Sequence, residues 1–92
     1  MNKRELIAEV AGRLSDKEAA AEAVDAVLDT IQTTVARGEH VRLIGFGTFE
    51  KQHKPARDGV HPTTREPIRV PAKSVPKFIP GADFRGRVAS GA

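Results

Sequence analysis

Seven cations stand between residues 51 and 77: Lys51, Lys54, Arg57, Arg65, Arg69, Lys73 and Lys77, against two acids, Asp58 and Glu66. The same stretch is punctuated by Pro55, Pro62, Pro67, Pro71 and Pro76. Ammonium and guanidinium groups at this density cannot fill a core; they project into solvent or lie along a polyanion. The chemistry they can do is neutralisation of phosphates. Other chemistry finds no constellation. His40 and His53 fall on predicted strands with no cysteine, paired carboxylates or further histidine at metal-ligand spacing. Neither a Gly-x-Ser-x-Gly elbow nor a phosphate loop occurs. The expectation is a binding protein with no metal and no cofactor, not an enzyme.

Charge is divided along the chain. Residues 1–50 are net −3, residues 51–77 net +5 and residues 78–92 net +1, within an overall charge of +3. A chain so divided presents one basic surface to nucleic acid or to an anionic membrane. No apolar run approaches the roughly 20 residues of a membrane span, and Met1 to Leu6 has no apolar stretch of signal-peptide length. A soluble, cytoplasmic protein without membrane contact is expected. With 92 residues, four phenylalanines, no Trp, no Tyr and no Cys, a single core is marginal and no disulfide can reinforce it. A second subunit is the expected source of the missing stability.

The elements that carry the basic stretch follow from periodicity. Asn2 is a predicted N-cap for a helix to about Leu14, with Leu6, Ile7, Val10, Ala11 and Leu14 at helical spacing. Ser15-Asp16-Lys17-Glu18 has the capping-box pattern and opens a second helix. Its stripe is Val24, Val27, Leu28, Ile31 and Val35; Gly38 ends it, with Arg37 in the last turn. Alternation at His40-Val41-Arg42-Leu43 then predicts strands near 40–44 and 48–54, a hairpin around Gly45-Phe46-Gly47. From Lys54 to Val75 two extended limbs, joined near Pro62-Thr63-Thr64-Arg65, form a ribbon in which every strand is an edge and proline is tolerated. Asp83 to Ala89 fits a short closing helix weakened by Gly86. The fold class is α+β.

In this order and at these spacings, Met1-Asn2-Lys3, Gly45-Phe46-Gly47-Thr48-Phe49, Pro55-Ala56-Arg57, Pro62 with Thr64, and Val75-Pro76-Lys77-Phe78 resemble the bacterial histone-like HU/IHF family over essentially the whole chain. The resemblance implies one domain over 1–92. Its helical dimerisation body would cover about 1–38, a three-stranded antiparallel sheet extended into a basic arm about 40–78, and a C-terminal helix about 81–89. It implies an intertwined homodimer, or a heterodimer with a paralogue, in the bacterial nucleoid. The two arms would enter the minor groove of double-stranded DNA and bend it. Pro62 matches the family's wedge, a rigid apolar ring that opens a base step; the plainer reading is a turn proline. Lys51, Lys54, Arg57, Arg65, Arg69, Lys73 and Lys77 are assigned to phosphates and groove walls, with His61, Thr63 and Thr64 at the tip. Some of these cations would serve only to blunt a ribbon edge. Lys3 and Arg85 match basic positions on the body, where ordinary surface charge is the alternative. Val24, Val27, Leu28, Ile31, Val35, Phe46, Phe49 and Phe78 are assigned to the dimer core.

The arm tip departs from the family pattern Arg-Asn-Pro-x-Thr-Gly. Val60 stands for an Arg, His61 for an Asn, and Arg65 for a Gly suited to a left-handed turn. Ile79 and Ala82 replace residues often basic. These changes rearrange the electrostatic grip around the wedge. A protonated His61 would add a cation beside the groove, so binding is expected to strengthen as pH falls from about 8 to 6. Two other partners fit the same basic ribbon: RNA or mixed nucleic acid, and an acidic protein.

Overall fold

The structure, a computed structural model, describes residues 1–91. It forms two compact units, the first ending at Thr34 and the second beginning at Val35.

The first unit holds α1 (Lys3–Leu14) and most of α2 (Lys17–Ala36). Asn2 is extended and its side chain accepts from the Glu5 amide at 2.9 Å, capping α1 as the sequence predicts. The capping box at Ser15 does not form. Ser15 ends α1 in the left-handed region (φ 59°), donating its amide to the Ala11 carbonyl at 2.8 Å. An N-cap needs extended backbone, so the role passes to Asp16, whose carboxylate accepts from Glu18 and Ala19 amides at 3.0 and 3.2 Å. Its charge also suits the positive end of the helix. Ala20 and Val24 are buried, Ile31 is half-buried, and Val27 and Leu28 remain 56% and 39% exposed.

At the other end of α2 the expected cation is replaced. Arg37 lies beyond the helix and pairs with Glu39 at 3.7 Å. Instead the Lys51 ammonium donates to the Ala36 carbonyl at 3.2 Å, satisfying an orphan acceptor from outside the helix. Gly38 turns the chain at φ +94°.

The second unit contains β1 (Val41–Leu43), β2 (Gly47–Lys54), β3 (Arg57–Val60), β4 (Pro67–Val70), β5 (Lys73–Pro80) and α3 (Ala82–Ser90). Strands β1, β2 and β5 make an antiparallel sheet in that order. The β2–β5 ladder runs from Gly47 opposite Pro80 to Lys54 opposite Lys73. Both limbs are then interrupted, at Pro55-Ala56 and at Pro71-Ala72, where each proline removes a donor. Pairing resumes as β3–β4, from Arg57 opposite Val70 to Val60 opposite Pro67. The α+β class, the hairpin and the ribbon are as predicted, with the ribbon divided at the prolines.

The β1–β2 turn also builds the start of α3. Gly45 sits at φ +83°, and its carbonyl accepts the Phe84 amide at 3.1 Å while the Phe46 carbonyl accepts the Gly81 amide at 2.8 Å. Gly81 has no side chain to cap α3, so turn carbonyls take donors that a cap would otherwise satisfy. All four phenylalanines gather here: Phe49 and Phe78 rings lie 4.6 Å apart, and Phe46 and Phe84 rings 5.3 Å apart. Gly47 is buried against the Phe78 ring, in a gap with no room for a side chain. A Cβ there would run into the Phe78 ring and stand 2.7 Å from the Ile79 carbonyl oxygen. Gly47→Ala should therefore lower the urea midpoint by the equivalent of about 1–3 kcal/mol, the usual cost of overpacking. An unchanged midpoint would show that the ring can step aside.

Candidate nucleic-acid interface

The sheet register sorts the basic residues. Residues directly opposite one another share a face, so Phe49, Lys51 and His53 lie with Phe78, Pro76 and Ser74. Lys51 is thus on the phenylalanine face, where it caps α2. The other face carries Lys54 opposite Lys73, and Lys77 opposite Glu50. Like charges directly across an antiparallel pair repel unless an anion lies between them. The Lys54–Lys73 pair closes the ladder where the ribbon begins, and Lys54, Pro55, Arg57, Val70, Pro71 and Lys73 line one shallow cleft. This is a cationic seat of the kind a phosphate fills.

Along the ribbon, Arg57 lies on one face, while Arg69 lies on the other and donates to Asp58 directly across at 2.9 Å. Lys3, in the first unit, pairs with Asp25 at 2.6 Å. Lys54, Arg57, Arg65, Lys73, Lys77 and Arg85 are exposed and form no ion pair among the described residues. The acidic partners of Lys3 and Arg69 were not foreseen from spacing, although the register that sets Asp58 against Arg69 follows from the ribbon itself.

The tip is a closed turn. The Arg65 amide donates to the His61 carbonyl at 2.8 Å, and the His61 amide to the Glu66 carbonyl at 2.9 Å. The Thr63 and Thr64 amides both donate to Nδ1 of His61, each at 3.2 Å. The Glu66 amide reaches Oγ1 of Thr64 at 3.4 Å. Pro62 has no amide hydrogen, so every backbone donor from His61 to Glu66 is engaged within the tip. What the apex offers outward is an exposed proline ring flanked by exposed Thr63, Thr64 and Arg65. Arg65 adopts φ +60°, the left-handed geometry expected of a glycine there, at a cost of about 1–2 kcal/mol. The role of His61 was missed as well. Its signal was present, because an imidazole Nδ1 can accept where the family's Asn would use its amide oxygen.

Among the described residues no three His, Cys, Asp or Glu side chains gather as metal ligands, and no helix is long and apolar enough to cross a membrane.

Comparison with known proteins agrees with this geometry. Residues 1–89 match the family model described as bacterial DNA-binding protein. The chain is 47% identical over 91 residues to DNA-binding protein HU 1 of Bacillus subtilis, covering 97% of this chain and 98% of the relative. It is 44% identical over 89 residues to DNA-binding protein HU 2 of Streptomyces coelicolor; that match covers 97% of this chain and 41% of the longer relative. An Anabaena HU protein solved in a cocrystal with DNA superposes with a TM-score of 0.87 at 43% identity, covering 97% of this chain and 98% of that one. With its ribbon, its glycine hinge and its full-length matches in agreement, the chain belongs to the HU/IHF family of bacterial DNA-binding proteins.

Proposed function

We propose that this chain works as a dimer that binds duplex DNA with little regard to sequence and bends it, acting on the bacterial nucleoid. The observation that carries the reading is the arm tip. Its backbone donors are all satisfied internally, so an apolar ring, Pro62, leads an otherwise cationic ribbon. A ring of this kind can enter a base step of the minor groove without abandoning hydrogen bonds, and the resulting kink brings more DNA within reach of the protein. Lys54, Arg57, Lys73 and Lys77 supply phosphate contacts, which set affinity but carry no sequence information. Thr63, Thr64 and Arg65 flank the wedge. Lys3 and Arg69 contribute only after exchanging a carboxylate for a phosphate. Lys51 serves the fold first, and Arg85 on α3 is available to flanking DNA.

The dimer rests on uncovered apolar surface. Only Ala20, Val24 and Val35 are buried hydrophobic residues among those described, while Ile44 is 98% and Phe46 48% exposed. Against the roughly 1.5–3 kcal/mol gained by burying each such side chain, a chain that leaves this many uncovered is short of a core. The Val24–Val35 stripe and Phe46, Phe49 and Phe78 are the surfaces a second copy would cover.

Sedimentation should show a dimer at micromolar concentration, with unfolding that shifts to higher denaturant as protein concentration rises. A folded monomer would overturn this assembly. For DNA, if the dimer neutralises six to ten phosphates, affinity should fall by about 10³–10⁵ between 50 and 200 mM salt, with Arg57→Ala flattening the dependence. Pro62→Ala should reduce the bend, measured by end-to-end fluorescence transfer, more than it weakens binding to pre-bent duplex. Equal bending by the variant and the parent would remove the wedge from the mechanism.

A further inference from the structure

We propose that His61 is a proton-operated positioning residue for Pro62: its neutral ring ties the arm-tip turn, and protonation unties it. The proposal rests on the DNA-bending reading above, because the wedge is what the turn presents.

A neutral imidazole has one donor nitrogen and one acceptor nitrogen. Nδ1 of His61 receives the Thr63 and Thr64 amides, each at 3.2 Å, so Nδ1 is the acceptor and the ring proton sits on Nε2. These two bonds embrace Pro62 from the residue before it to the two after it. They reproduce with a ring nitrogen the turn that an Asn side chain makes with its oxygen. An Asn oxygen accepts at any pH; an imidazole nitrogen does not. On protonation Nδ1 becomes a donor facing two donors, and both bonds are lost together.

Little else holds the turn. The Arg65 amide keeps the His61 carbonyl, the His61 amide keeps the Glu66 carbonyl and the Glu66 amide keeps a long bond to Oγ1 of Thr64, but Arg65 is itself in left-handed backbone. The ribbon behind is four residue pairs, a length marginal in water. The charged groups around the imidazole are Arg65 and Glu66 in the turn and the Asp58–Arg69 pair further back along the ribbon. None of them forms an ion pair with His61 among the described residues. The simple electrostatic expectation, that a His61 cation tightens the grip, therefore meets an opposing effect on a different quantity. Added charge raises affinity, whereas loss of the turn costs wedge geometry and hence bend.

The sign follows directly. The wedge-presenting turn needs the neutral ring, so bending is complete while Nδ1 is bare and is lost as the pH falls and the ring takes up its second proton.

Two measurements on the full chain decide the matter. Nitrogen NMR of the free protein at pH 8 should show His61 with Nδ1 bare and Nε2 protonated. The Thr63 and Thr64 amide resonances should then move together with the ring as it titrates. Fluorescence-transfer bending of a saturated duplex should fall in the parent between pH 8 and a pH at which the same NMR shows the His61 ring protonated. It should stay level in His61→Asn, which retains His40 and His53, and should be low at both pH values in His61→Ala. A protonated Nδ1 at pH 8, amides that ignore the titration, or the same pH profile in the parent and His61→Asn would each overturn the proposal. A protein that bends no DNA at any pH would instead defeat the functional reading, while the NMR result would still decide whether His61 ties the turn.

Discussion

The β2–β5 register is the constraint on which the rest of this molecule depends. Phe49 stands opposite Phe78 with ring centroids 4.6 Å apart, and Gly47 is the gap into which the Phe78 ring fits. A slip of one residue would turn every side chain of one strand to the other face. Phe78 would leave its partners, and Lys73 and Lys77 would be driven among the aromatic rings. The register that packs the phenylalanines thus also assembles the cationic face, through the alternation of one ladder. The Pro55 and Pro71 interruptions then let the ribbon continue without being locked to the sheet by hydrogen bonds.

Much of this was legible in the sequence because its causes are local. Asn2 as a cap, the helix that Gly38 ends, the Gly45-Phe46-Gly47 reversal and the two-limbed ribbon each follow from a few neighbouring residues. The failures arise where two local options compete or the partner is distant. Ser15 and Asp16 can each cap a helix, and only the left-handed end of α1 decides between them. Arg37 is well spaced to stabilise the end of α2, yet Lys51 takes the position from fifteen residues away.

The interface shows the same division. Which side chains are cationic is plain from the sequence; which are already engaged is a matter of pairing. Asp25 and Asp58 hold Lys3 and Arg69, so the number of cations overstates how many are free to meet an incoming anion. Exposed pairs of this kind are worth only up to about 1 kcal/mol, little enough for a phosphate to displace the carboxylate. Arg65 is a different case. Its positive φ persists although a glycine would suit it better, which puts a long cation in the turn that carries Pro62, three residues along the chain, at a small conformational cost.

The outer edge of β5 bears on solubility. Among the described residues β5 pairs only with β2, leaving its other side open. A proline is tolerated in a paired strand where its missing N–H would have faced away from the partner. Pro76 and Pro80 are four residues apart and so share an orientation; both missing donors fall on that open side. An approaching strand would find a broken row of hydrogen-bond donors, with Lys73 and Lys77 carrying like charge along the same strand. This edge of the sheet is therefore a poor template for a further strand, which guards copies crowded side by side against pairing through β5.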